Sequence, residues 1–150
     1  MKSILFALLS LALLCAPARA AEPEIMAALS VMGYGYKVKV TVNGADVGVE
    51  GGKSENRRLF NKGYEMAAQA TPAIRAKNFV LVQGSNEIAI EYSKLNPKTS
   101  DSLEIGMQVQ GYPQPVLTVV SRAKPADKLL LKVKLAAKAP ADFKPILINH

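Results

Sequence analysis

Residues 34–44 read YGYKVKVTVNG. Tyr34, Tyr36, Val38, Val40 and Val42 alternate with Lys37, Lys39 and Thr41. Side chains of an extended chain point to opposite faces in turn, so this period of two describes a strand with one face in a core and the other in water. An amphipathic helix would instead repeat its apolar residues three and four apart. Asn43-Gly44 follows, the dipeptide best suited to positive φ at both centres of a two-residue hairpin turn. Val47 and Val49 can begin the return strand, which Gly48, Gly51 and Gly52 keep short or bulged.

The same period recurs downstream. In LVQGSNEIAIEY (81–92), Gly84 and Asn86 supply turn chemistry, and Ile88, Ile90 and Tyr92 share a face opposite Glu87, Ala89 and Glu91. Leu103, Ile105, Met107 and Val109 alternate in turn. Gly111, Pro113 and Pro115 then interrupt, and 116–120 is apolar on both faces. After Pro125, DKLLLKVKL places Leu129, Leu131, Val133 and Leu135 on one face and Lys128, Lys132 and Lys134 on the other.

Three stretches are less regular. KSENRR (53–58) reads as a polar loop, the Ala-rich 24–32 fits a short helix or a first strand, and 64–70 fits a short helix limited by Pro72. No helical crossovers alternate with the strands. The expectation is an all-β fold, an antiparallel β-sandwich of jelly-roll or immunoglobulin-like kind, with about seven or eight strands and at most one or two short helices.

The first residues point to export. Lys2 precedes an apolar run from Ile4 to Leu14, and Ala18-Arg19-Ala20 is a small-x-small cleavage site. This is the pattern of a secretory signal peptide over 1–20, and the run is shorter than the roughly 20 residues of a membrane anchor. Cys15 follows Leu14 rather than a small residue, so it reads as part of the discarded leader and not as a lipid-modification site. The expected organisation is a signal peptide (1–20), an N-terminal segment (21–33), a β-sandwich domain (34–138) and a Pro-containing tail (139–150). Ile146 and Ile148 in the tail are able to add a last short strand. Periplasmic or extracellular localisation follows, with no transmembrane segment in the mature chain.

Chemistry is sparse. Cys15 is the one cysteine of the chain, so the mature protein would have no thiol catalysis or thiolate metal site. His150 is the one histidine, expected to be solvated, which leaves no His-based triad or multi-histidine centre. Glu87 and Glu91 lie on one strand face and read as a solubilising stripe. Asp46, Glu50, Glu55 and Asp101 are loop acids without the spacing of a calcium loop. We therefore expect no enzyme, no catalytic residue, no metal and no cofactor.

Two sets of residues are candidates for ligand binding. Lys128, Lys132 and Lys134, with Lys37 and Lys39, lie on outward faces; were their strands neighbours, that face would attract polyanions. Lysines on edge strands also guard against edge-to-edge aggregation. Among the aromatics, Tyr34, Tyr36 and Tyr92 belong to the core faces, while Tyr64 and Tyr112 fall in loops and are the exposed candidates for packing against a sugar. Met26, Met32, Met66 and Met107 read as core fillers. Without Lys2 and Arg19 the formal charge falls from +7 to about +5, which favours anionic partners. Aromatic residues are not interleaved with the basic ones, so nucleic acid is not an expected partner.

Val42-Asn43-Gly44-x-x-Val47-Gly48, followed by Leu81-x-x-Gly84-x-Asn86-x-Ile88-x-Ile90, resembles the galactose-binding-like β-sandwich modules, and immunoglobulin-like sandwiches carry similar turns. The resemblance covers about residues 36–92 and implies structural roles for Gly84 and Asn86. Ligand contacts in such modules come from variable loops, often with Trp, which this chain lacks. The expected function is an exported, non-enzymatic binding or protein-interaction module of the cell envelope. Two alternatives stand beside it. One is a carbohydrate-binding module or accessory domain of a carbohydrate-active enzyme; the other is adhesion to anionic envelope polymers through the lysine face. The partner, protein or glycan, and the oligomeric state stay open.

Overall fold

The alternating segments assemble into two sheets that close over one apolar core. In the computed structural model residues 22–150 are described; the expected signal peptide, with Cys15 and the expected cleavage site, lies outside them. Ten strands are present among the described residues. β1 (Met26–Met32), β4 (Ser54–Asn61), β5 (Phe79–Leu81), β7 (Leu103–Val109), β8 (Leu117–Ser121) and β10 (Ile146–Asn149) form sheet A, in the order β10-β8-β7-β1-β4-β5. β2 (Tyr36–Val42), β3 (Ala45–Asp46), β6 (Gly84–Lys94) and β9 (Ala126–Leu135) form sheet B, in the order β3-β2-β6-β9. The chain is an all-β sandwich. Pairing is antiparallel except for β4 with β5 and β8 with β10.

The core lies between the sheets. Ala27, Leu29, Val31, Leu59 and Ile105 of sheet A meet Val38, Val40, Ile88 and Ile90 of sheet B. Each set follows the period of two read in the sequence. Two neighbouring tyrosines close one end of this layer with their hydroxyls satisfied. Tyr36 donates to the carbonyl of Asp101 (2.9 Å), and Tyr92 donates to Ser121 Oγ (3.0 Å), which ties β6 to β8 across the sandwich. Their rings meet edge-on, centroids 6.1 Å apart. Burial pushes the Tyr36 phenol above its ordinary pKa, with Tyr92 and Asp101 adding to the effect.

Several expectations change. The Ala-rich 24–32 stretch is strand, and β1 lies in the middle of sheet A between β4 and β7. Alanine has little β preference of its own; two long neighbours decide the outcome. KSENRR is not a loop but the start of β4. Its inward Glu55 and Asn61 are buried because each is matched: Asn61 Oδ1 accepts the N–H of Ile25 (2.9 Å), and Glu55 is bound as described below. Val47 and Val49 are buried but lie beyond β3, which stops at Asp46.

Residues 65–69 form a 3-10 turn, and Pro72 opens a helix rather than ending one. Helix α1 spans Pro72–Asn78, with Thr71 Oγ1 accepting the N–H of Ile74 at its N-cap. Proline suits a first helical turn, where its missing N–H has no partner to lose. Together the turn and α1 carry the chain from β4 to its parallel neighbour β5, a connection that needs a dozen or more residues.

Tyr34 is not core: the chain bends at Gly35, and Tyr34 is 60% exposed. Of the four methionines among the described residues only Met107 is buried, since Met26 and Met32 fall on the outer face of β1 and Met66 lies on the 3-10 turn. No helix of the described residues is long and apolar enough to cross a membrane.

Candidate functional site

The two halves of the Asn-Gly motif meet. Asn43 and Gly44 take φ of 51° and 80° at the β2–β3 turn. Asn43 Nδ2 then donates to Asn86 Oδ1 (2.9 Å) and to the carbonyl of Val80 (2.8 Å), while its Oδ1 accepts the N–H of Glu87 (2.9 Å). Asn86 is fully buried. Its Oδ1 also accepts the N–H of Val82, and its Nδ2 donates to the carbonyls of Val82 and Gly84. All the polar atoms of both side chains are occupied, so this pair is a brace and not a ligand site.

That brace ties the β2–β3 turn to the start of β6, and the ladders on the two sides of β6 compose the outer face of sheet B. Lys39 pairs with Glu91, which pairs with Lys128 on the far side; Glu87 pairs with Lys132, and Ser85 with Lys134. Lys37 lies opposite Ser93. The lysines of β2 and β9 are thus not direct neighbours, but β6 brings them onto one surface. Lys128 Nζ is 3.5 Å from Glu91 Oε1, an exposed pair of little energetic weight. Five lysines against Glu87, Glu91 and the exposed Asp46 of β3 leave the face basic. Thr41, Ala89 and Leu130 form the row through its centre, and Leu130 is 64% exposed. A groove of about 620 Å³ opens between Lys37, Lys39, Glu91, Ser93, Asp127 and Lys128. The LLL run of 129–131 carries the signal for Leu130: a period of two puts its middle leucine among the lysines.

The tyrosine candidates separate. Tyr112 is 6% exposed. Its ring meets Phe143 of the C-terminal segment edge-on (4.9 Å), and its hydroxyl accepts the N–H of Ala136 (3.1 Å), so it is core and unavailable as a platform. Tyr64 is half-buried beside Phe60 (4.9 Å), which stacks on Phe79 (5.0 Å). Phe60 and Phe79, with the exposed Met66 and Ile74, line a pocket of about 520 Å³. This aromatic pocket lies on the β4–β5 side of the sandwich, where α1 also contacts β3; the β9 edge is at the other side. Sequence reading missed Phe60 and Ile74, because 53–78 shows no period from which to place them, and it read Phe79 only as the start of a strand over 79–82.

The acids are largely engaged in structure. Glu55, 4% exposed, accepts the N–H groups of Glu50 (3.1 Å) and Gly51 (2.8 Å) and the Arg57 guanidinium (3.0 Å). Arg57 also donates to the carbonyl of Gly48 (2.7 Å). The pair therefore pins the 47–53 loop to β4. Burial raises the Glu55 pKa, but the Gly51 and Glu50 N–H groups and the charges of Arg57 and Lys53 outweigh it, and the carboxyl is held below its ordinary value.

Asp127 is likewise lowered, first by the Lys124 ammonium (3.0 Å) and then by the Lys128 N–H (2.8 Å). His150 is not a solvated end. Its backbone bonds Val120, Arg122 and Ala123, and Nδ1 lies 3.1 Å from Asp127 Oδ2, though not aligned for a hydrogen bond. No group of three or more His, Cys, Asp or Glu residues is placed to hold a metal ion among the described residues. No protein-family model, curated protein or solved structure matches the chain.

Proposed function

We propose that the protein is an exported, non-enzymatic β-sandwich of galactose-binding-like or immunoglobulin-like kind. It acts in the cell envelope as a binding or protein-interaction module, and its contact surface is the outer face of sheet B. The observation that carries this reading is the composition of that face: five lysines on two strands around an exposed leucine, brought onto one surface by β6. A partner bearing negative charge gains from all five, and desolvating Leu130 adds an apolar contact of about 1 to 2 kcal/mol. The acids support a non-catalytic role, since Glu87 and Glu91 face lysines and Glu55 is consumed by its loop.

The test is retention of envelope components on the immobilised chain at low and high salt, beside a Lys128→Glu/Lys132→Glu/Lys134→Glu variant. Components held at low salt, released at high salt and not held by the variant are the expected result. Equal retention by both proteins would remove the basic face from the account.

A second reading is sugar binding, alone or as an accessory domain, at the Phe60, Tyr64 and Phe79 row and its pocket. A glycan array decides it. A sugar bound by the native chain and lost in Tyr64→Ala would favour this reading over the first, and no retained glycan would set it aside.

A further inference from the structure

We infer that the free edge of β9 is a strand-addition site, and that its occupant is an extended, acidic segment of a partner protein. This rests on the basic-face reading above and names its partner class. The first ground is the backbone. In an antiparallel ladder alternate residues turn both their N–H and C=O to the same neighbour. Lys94 N–H donates to the carbonyl of Pro125, in line with the register that pairs Tyr92 with Asp127 and Ile90 with Leu129. The odd residues of β9 therefore bond β6, and Lys128, Leu130, Lys132 and Lys134 turn their backbone groups outward. The Lys128 N–H is capped by Asp127 Oδ1 (2.8 Å). Among the described residues no backbone hydrogen bond reaches Leu130 or Lys132 from outside.

The second ground is the inner face. Leu129 and Leu131 pack against the core but are only partly buried, although their partners on β6, Ile90 and Ile88, are fully buried. The sandwich is open beside them. The C-terminal segment touches β9 at its two ends, through His150 beside Asp127 and through Pro140, Asp142, Phe143 and Ile146, which line a 230 Å³ cavity with Lys132, Val133 and Lys134. A strand added along β9 would cover these leucines and pair with the idle backbone groups, the mode by which exposed sheet edges take up extended peptides.

Charge identifies the occupant. The residues with free backbone groups also carry the outward side chains of Lys128, Leu130, Lys132 and Lys134. A second copy of β9 would set lysine against lysine, which is unfavourable directly across a sheet. A complementary strand instead has acids opposite the three lysines and apolar residues opposite Leu130 and the inward leucines. The edge accommodates about seven such residues.

The probe is a capped peptide of that pattern, Glu-Val-Val-Val-Glu-Val-Glu, with its reversed sequence, a copy N-methylated at alternate amides, and dextran sulfate as a polyanion without a peptide backbone. Each is titrated into the full-length chain while amide hydrogen exchange is followed. One of the two peptide directions should bind and slow exchange at Leu130 and Lys132 by about tenfold or more, and the N-methylated copy should not.

Leu130→Pro keeps every lysine but removes an outward N–H together with the leucine side chain, a change that edge strands tolerate, so Leu130→Ala is its control. The proline should abolish that peptide's binding and the alanine should not, while dextran sulfate still binds both. If the proline variant does not fold, the N-methylated peptide makes the same distinction. Binding of the N-methylated copy as tightly as the parent would overturn the inference, as would a β9-mediated dimer of the free chain that Leu130→Pro dissolves. Dextran sulfate binding with no peptide protection would overturn the edge but leave the basic face standing. Binding of neither would remove both.

Discussion

Asn43 and Asn86 show how much one side-chain contact carries in this molecule. Asn86 is buried with every polar atom matched, so Asn86→Ala leaves the Val82 N–H and two carbonyls without their partner inside the protein. A loss of about 2 kcal/mol is expected, read as a lower urea midpoint. Asn43→Ala should cost about 1 kcal/mol, and the double variant less than the sum, because the two share a bond. Simple additivity would contradict the shared brace. Gly84 and Asn86 were legible in sequence as turn chemistry; that Asn86 reaches Asn43 was not, since nothing local fixes a contact 43 residues apart.

Glu55 gives a pH signature. Its carboxyl is held below the ordinary value of 4.5, so the unfolded chain takes up the proton first as pH falls. The stabilisation is complete above about pH 4.5 and is lost as pH drops through the folded value. The native chain should therefore lose stability more steeply below pH 4.5 than Glu55→Gln, which should already be weaker at pH 7. Parallel pH profiles would deny Glu55 this role.

At the scale of elements, the 47–53 loop is held by backbone more than by side chains. Val38 N–H donates to the Glu50 carbonyl, and Gly52 N–H to the Tyr36 carbonyl. A Cβ on Gly51, at φ 83°, would collide with the Tyr36 carbonyl oxygen, whereas one on Gly52, at φ 74°, meets nothing. Gly52→Ala should cost about 1 kcal/mol for its φ alone, and Gly51→Ala clearly more, by thermal or urea unfolding. Equal costs would show that the loop is not pressed against β2.

Legibility at this scale followed burial. β2, β6, β7 and β9 were readable because one face is apolar and the other is not. β4 was not, because its inward positions include a paired carboxylate and an asparagine, which look solvated until their partners are known. β1 is rich in alanine, and its place between β4 and β7 is a property of the assembled sheet. Tyr112 was misread because its neighbours Gly111 and Pro113 signal a loop, and only the fold brings Phe143 over it.

For the whole molecule, the arrangement separates two surfaces. The basic face and the β9 edge share one sheet, while the aromatic pocket lies on the β4–β5 side of the other. The individual lysines were visible in sequence; that β6 unites them was not, since strand order does not follow from a period of two. Interactions of exposed charges weaken with salt, so partner retention through this face should fall as ionic strength rises, and retention at the aromatic pocket should not.

The most direct test of the basic-face account is a residue-by-residue amide shift map of the chain titrated with dextran sulfate at low salt. Shifts concentrated at Lys37, Lys39, Glu91, Lys128, Leu130 and Lys132, and reversed by added salt, are the predicted result. Shifts confined to the Phe60–Tyr64–Phe79 side, or to Arg58, Arg75 and Lys77, would contradict it.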